Sequence, residues 1–168
     1  MPAHDPHAPT ASLRTTSPLG PMLLAATEDG LAGVWFVGQR HGPLRHTWPE
    51  DARHPVLHEA ASQLAAYFAS RLRDFDLPLD TRRGTDFQRS VWQALRAIPR
   101  GQTLSYAALG RAIGRPEAAR AVGAAVGRNP WSIVVPCHRV TGSDGSLTGY
   151  AGGLDRKTAL LRLEGALH

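Results

Sequence analysis

The sequence predicts an α+β protein of two parts: a small N-terminal α/β domain with antiparallel strands over residues 16–82, and a C-terminal winged helix-turn-helix-like domain over residues 83–168. Three observations predict it. Two β-rich runs meet at a glycine turn near the start of the chain, helical periodicity dominates from residue 55 onward, and the two halves carry opposite charge. With 168 residues, 42% hydrophobic and 20% charged, the chain can bury a core, which excludes wholly disordered and collagen-like classes.

Residues 1–15 hold His4, Asp5, His7 and several prolines without an apolar stretch, and are expected to be a disordered tail. Pro21 to Thr27 and Leu31 to Val37 then read as two strands joined at Glu28-Asp29-Gly30, where glycine supplies a positive φ. Gly38 to Pro55 is polar and rich in Pro, Gly and His, the composition of a surface loop. From Val56 to Leu72 the apolar residues Leu57, Ala60, Leu64, Tyr67 and Phe68 keep helical spacing. Phe75, Leu77 and Leu79 alternate between Asp74 and Asp80, which predicts a short strand before a boundary near Thr81 to Gly84.

In the second half, Thr85 or Asp86 caps a helix carrying Phe87, Val91, Trp92, Leu95 and Ile98, stopped by Pro99 and Gly101. Ser105 to Ile113 is a short helix ended by Gly114, and Pro116 opens another that runs to about Gly127. Two short helices across a tight turn make a helix-turn-helix candidate. On the second of them, Val122 and Val126 form a narrow apolar stripe while Arg120, Gly123, Ala124 and Gly127 fall opposite. Glycine costs about 1 kcal/mol in a helix interior, so two of them imply close approach, either to another helix or to a nucleic-acid backbone. Val140 to Tyr150 is expected to form a hairpin wing, and Leu154 to Glu164 a last amphipathic helix closed by Gly165.

Charge distribution narrows the partner. Residues 1–82 hold seven arginines against nine acids, a net −2, whereas residues 83–168 hold eleven arginines and Lys157 against five acids, a net +7. A concentrated positive field points to a polyanion. No apolar run approaches the roughly 20 residues of a membrane helix, so no membrane partner is expected and a cytoplasmic location is. The sole cysteine, Cys137, excludes an intramolecular disulfide and a multi-cysteine zinc site. His41, His46, His54 and His58 are irregularly spaced, and neither metal nor cofactor is expected.

Cys137 follows the apolar run Ile133-Val134-Val135 and Pro136, and precedes His138 and Arg139. Cationic neighbours at a proline-initiated turn are expected to favour the thiolate, the nucleophilic form, whereas a cysteine that merely packs needs neither. Here the sequence resembles the O6-alkylguanine-DNA alkyltransferases. The resemblance rests on Pro136-Cys137-His138-Arg139, Asn129-Pro130, Gly149-Tyr150-Ala151-Gly152-Gly153, Ser105-Tyr106 and Ala118-Ala119-Arg120-Ala121-Val122-Gly123. It covers Thr85 to Gly165 closely and the N-terminal half in outline.

The resemblance implies direct reversal of DNA alkylation: double-stranded DNA is bound, the O6-alkylguanine is flipped out, and its alkyl group passes irreversibly to Cys137. O4-alkylthymine stays open as a second substrate. His138 would be the base, acting through a water, and Glu164 its orienter. Tyr106 would protonate the departing guanine, and Asn129 would brace the turn. Arg120 would be the finger that enters the base stack, with Ala119 and Gly123 small for close docking, and Arg139 would be structural or phosphate-facing. Val135, Pro136, Tyr150, Ala151 and Gly152 would line the pocket. Some relatives carry serine where Ala151 stands, and some bind zinc through N-terminal cysteines that this sequence lacks. The chain would act as a monomer. Two other classes compete. A lesion-binding protein without transfer would lack Cys137, and a winged-helix regulator sensing redox state through Cys137 leaves Tyr106, Asn129 and Glu164 unexplained.

Overall fold

The computed structural model describes residues 5–43 and 46–168. Expectations for residues 1–4 of the tail and for 44–45 of the long connection lie outside the described residues. Three antiparallel strands in sequence order form the N-terminal sheet: β1 (Ala11–Thr15), β2 (Met22–Thr27) and β3 (Gly30–Phe36). β1 corrects the expectation of a disordered tail over residues 11–15. Its five residues alternate too briefly to announce a strand, and pairing with β2, from Ala11 opposite Ala26 to Thr15 opposite Met22, is what orders them.

β2 and β3 are buried along their whole length. Met22, Leu24, Ala26 and Val34 face the main core, while Leu23, Ala25, Ala32 and Trp35 form a second cluster covered by Trp48, which stacks on Trp35 at 6.0 Å. That two-sided burial explains why the runs are continuously apolar. Helix α1 (Pro55–Phe68) lays Leu57, Ala60, Leu64 and Tyr67 on the sheet. It stops four residues before the expected Leu72 because Ser70 takes a left-handed backbone, φ 57°.

The strand expected over Asp74 to Asp80 does not form. Pro78 lacks the N–H a ladder needs, and only an isolated parallel bridge joins Leu79 to Leu31. The chain crosses β3 closely there: a Cβ on Gly30, φ 141°, would lie 2.6 Å from the Pro78 carbonyl oxygen. The buried carboxylate of Asp80 accepts from Thr27 Oγ1 at 2.5 Å and from Arg82 Nη2 at 2.7 Å, tying the β2–β3 turn to the connection between the halves.

Helix α2 (Asp86–Leu95) starts at a capping box in which Thr85 Oγ1 accepts from Gln88 N and Gln88 Oε1 accepts from Thr85 N. It packs against α3 (Tyr106–Ala112) and α4 (Ala119–Gly127), with Trp92 Nε1 donating to Ala125 O at 2.8 Å. α4 begins three residues after Pro116, whose turn precedes the helix instead of opening it. The wing is a further correction. Instead of a hairpin over Val140 to Tyr150, β5 (Val140–Thr141) pairs in parallel with β4 (Leu104–Ser105). Gly142 N donates to Ser146 O, so the Ser143-Asp144-Gly145 turn closes on itself without a return strand. The chain ends with α5 (Leu154–Leu163), closed as expected by Gly165 at φ 80°.

One continuous core joins sheet, α1 and the C-terminal helices. The segment after α4 hangs on the free edge of β3: Val34 N donates to Pro130 O, Ser132 N donates to Val34 O, and Trp131 Nε1 donates to Leu31 O at 2.7 Å. Among the described residues no helix is long and apolar enough to cross a membrane.

Candidate active site

The edge-hung segment delivers Cys137. Asn129, just past α4, bridges it: its Oδ1 accepts from Trp131 N at 3.0 Å, and its Nδ2 donates to Val135 O at 2.8 Å and Trp131 O at 3.2 Å. The loop is strained at Ile133, a β-branched residue held at φ 73°. Pro136 then starts a single 3₁₀ turn, Cys137–Arg139, all three of whose side chains are buried.

Behind the thiol lies an ionic knot centred on Glu164, the C-cap of α5. Glu164 Oε2 contacts His138 Nε2 at 2.9 Å and accepts from Tyr67 Oη at 2.7 Å and Arg139 Nη2 at 2.9 Å, while Oε1 accepts from Arg139 Nε at 2.9 Å. Arg139 also donates to Ile98 O at 2.6 Å. Arg139 is 6% exposed and its guanidinium is consumed by Glu164, so of its two expected places it takes the structural one and does not face phosphate.

Burial alone would raise the Glu164 pKa, but hydrogen bonds from His138 and Arg139 overcome it and hold the carboxyl well below the usual range. His138 is pushed down by burial, against the pull of Glu164, and is therefore neutral. With Nε2 donating to the carboxylate, Nδ1 carries the lone pair, and it has no protein partner. The Cys137 thiol is pushed up by burial, against the Asn129 hydrogen bond and the Lys157 charge. This overturns the expectation of a resting thiolate. The adjacent arginine lends it nothing because Glu164 neutralises that charge, so the proton must be taken away when substrate is present.

In front of the thiol is a cavity of about 380 Å³. Tyr106, at the first position of α3, lines it beside Gly123 of α4, and Tyr150 and Ala151 line it as well. Val135, Pro136 and Gly152, expected as lining, are not among the residues that line it. Val135 is wholly buried, Pro136 and Arg139 line a separate hollow with Arg96, and Gly152 packs under the Tyr150 ring and against Phe36. Ala119 and Arg120 are exposed on the first turn of α4.

Several residues at the site carried no sequence signal. Arg40 and His41 reach the cavity from the long connection, and Arg128 stands at the C-cap of α4. Tyr67 comes from the N-terminal half, 97 residues from its partner. Lys157 could have been found: it is the one lysine beside 18 arginines. Its buried Nζ donates to Val140 O, Thr148 O and Gly149 O, a convergence suited to an ammonium and not to a planar guanidinium, and burial pulls its pKa down to about 8. It pins the cavity wall. No group of three or more metal-ligating side chains occurs among the described residues.

The knot dictates an acid limb of stability. His138 titrates below 6.5 in the folded chain and Glu164 below 4.5, so in both cases the unfolded chain takes the proton first. The contribution of the knot is complete above about pH 6.5 and declines on acidification, first through His138 and then through Glu164. Urea midpoints at about pH 7.5, 5.5 and 4 should fall in that order. A constant midpoint would contradict the neutral His138 and ionised Glu164 described above.

The chain matches the family model for the 6-O-methylguanine DNA methyltransferase DNA binding domain over residues 86–166, and that for the ribonuclease-like domain of the same family over residues 14–81. Among curated relatives, the methylated-DNA-protein-cysteine methyltransferase of Mycolicibacterium paratuberculosis is 52% identical over 148 residues, 88% of each chain. That of Methanosarcina acetivorans is 50% identical over 151 residues, 89% of this chain and 95% of the relative. Among solved structures, Mycobacterium tuberculosis OGT in complex with DNA superposes with a TM-score of 0.84 at 47% identity, covering 93% of both chains.

Proposed function

The chain belongs to the 6-O-methylguanine DNA methyltransferase family, and from that membership we propose how its residues carry out the repair of alkylated DNA. The protein binds DNA and transfers the alkyl group of an alkylated base to a cysteine. Cys137, its sole cysteine, is the acceptor. The observation that carries this reading is a single thiol at a nucleoside-sized cavity, backed by a neutral histidine that an ionised glutamate orients.

The thiol gives its proton to His138 Nδ1 through a water, and Glu164 stabilises the imidazolium that forms. The thiolate attacks the alkyl carbon, the bond from that carbon to guanine O6 breaks, and its electron pair passes into the ring. Tyr106 donates its hydroxyl proton to the ring and is reprotonated by the proton the thiol released, leaving neutral guanine and a thioether. Asn129 keeps Val135 and Cys137 in register. Nothing in the relay can hydrolyse a thioether, so each molecule acts once. Intact mass after incubation with O6-methylguanine duplex tests this: one methyl group on Cys137 is expected, and an unchanged mass would remove the reading.

Arg120 on the exposed turn of α4 takes the place of the extruded base, with Ala119 and Gly123 allowing the helix close to the duplex. Gly123 has room for a Cβ 3.9 Å from the Tyr106 ring, so internal packing does not require its smallness. Arg120→Ala should slow transfer from duplex DNA at least ~10-fold more than transfer from free O6-benzylguanine, because only the duplex must be unstacked at a cost of a few kcal/mol. Equal losses on both substrates would place Arg120 outside extrusion. The chain divides at residues 82 and 83 into the two domains, works as a monomer, and resides in the cytoplasm, where a reactive thiol stays reduced.

A further inference from the structure

We propose that Arg40, His41 and Arg128 form a phosphate clamp at the cavity mouth that holds the phosphodiesters of the extruded nucleotide. The clamp rests on the functional reading above and adds to it a ligand group that the thiol, the relay and Arg120 do not address.

The three residues come from distant stretches yet line one cavity with Cys137. Arg40 N donates to Ala151 O at 2.9 Å, which stitches the N-terminal connection to the cavity wall and fixes where the arginine stands. His41 is a non-glycine residue at φ 61°, a conformation that persists only where its surroundings impose it and that collects at ligand clamps. Its imidazolium is disfavoured by burial and then by the charges of Arg128 and Arg40, so the three groups sense one another.

Like charges held together without a counterion are unfavourable, and here none is supplied. No carboxylate lines the cavity, and neither Arg40 nor Arg128 pairs with one among the described residues. The missing anion is on the substrate. The cavity takes a purine with its sugar, and a nucleotide inserted base-first toward Cys137 leaves its two phosphodiesters at the mouth. Arginine there offers paired N–H donors to phosphate oxygens. The N-terminal half thereby enters substrate recognition.

The test uses the full chain, O6-benzyl-2′-deoxyguanosine and its 3′,5′-bisphosphate, with Cys137 alkylation followed by intact mass under single-turnover conditions. At low salt the bisphosphate should react about tenfold faster than the nucleoside, the effect of one charge-assisted contact, and the advantage should shrink as salt rises. In the Arg40→Ala/Arg128→Ala variant the ratio should fall to about one. Equal rates in the parent protein, or a ratio that survives in the variant, would overturn the clamp. Absence of alkylation by either compound would overturn the functional reading beneath it, and the clamp with it.

Discussion

Cys137→Ser is expected to lose alkyl transfer by at least ~10⁴-fold, on the scale seen when a catalytic nucleophile is removed, while DNA affinity stays within about twofold. The thiol already sits in a dry place that resists ionisation, its pKa pushed up by burial. A hydroxyl in that place is a far weaker acid, and neutral His138 is not a strong enough base to ionise it. In the proposed reading DNA is held by α4, a different element from the turn that carries Cys137. Single-turnover transfer from O6-methylguanine duplex, beside a binding titration, measures both. Retained transfer in this variant would remove Cys137 from the chemistry.

Glu164→Ala should destabilise the fold by about 3–5 kcal/mol, because it leaves a buried guanidinium without its anion. For a chain of this length that is a fall in Tm of roughly 6–20 °C. Arg139, Tyr67 and His138 all lose a partner at once. Glu164→Gln separates chemistry from folding. The amide keeps the volume and an acceptor, so the loss of stability should be smaller, yet a neutral partner no longer stabilises imidazolium, and transfer should slow by about 10²–10⁴-fold. Thermal unfolding and single-turnover rates on both variants check the split. An alanine variant as stable as the parent would mean that Arg139 finds another counterion.

Local elements were legible where one face of a periodic segment meets the core. The N-cap, left open between Thr85 and Asp86 and found at Thr85, the helix-turn-helix stretch and the Gly165 terminus need only neighbouring residues, and each stands within a few residues of its expected place. Elements that failed were those whose backbone partners lie far along the chain. β1 exists because β2 pairs with it, the Asp74–Asp80 stretch is refused a ladder by Pro78, and Val140 pairs with Leu104 in parallel instead of returning as a hairpin.

The sequence by itself determined the chemistry on offer: one thiol, a histidine next to it, a basic half-chain and an arginine beside small residues on a short helix. These are composition and local order, which no folding event can alter. Only the tertiary structure decided what each group became. Arg139 beside the thiol turned inward to Glu164, and the thiol itself is protonated at rest. Tyr67 and Arg40 were carried from the N-terminal half to opposite sides of the site. Protonation states and partners depend on burial and on contacts across 97 residues and more, and periodicity along the chain does not encode either.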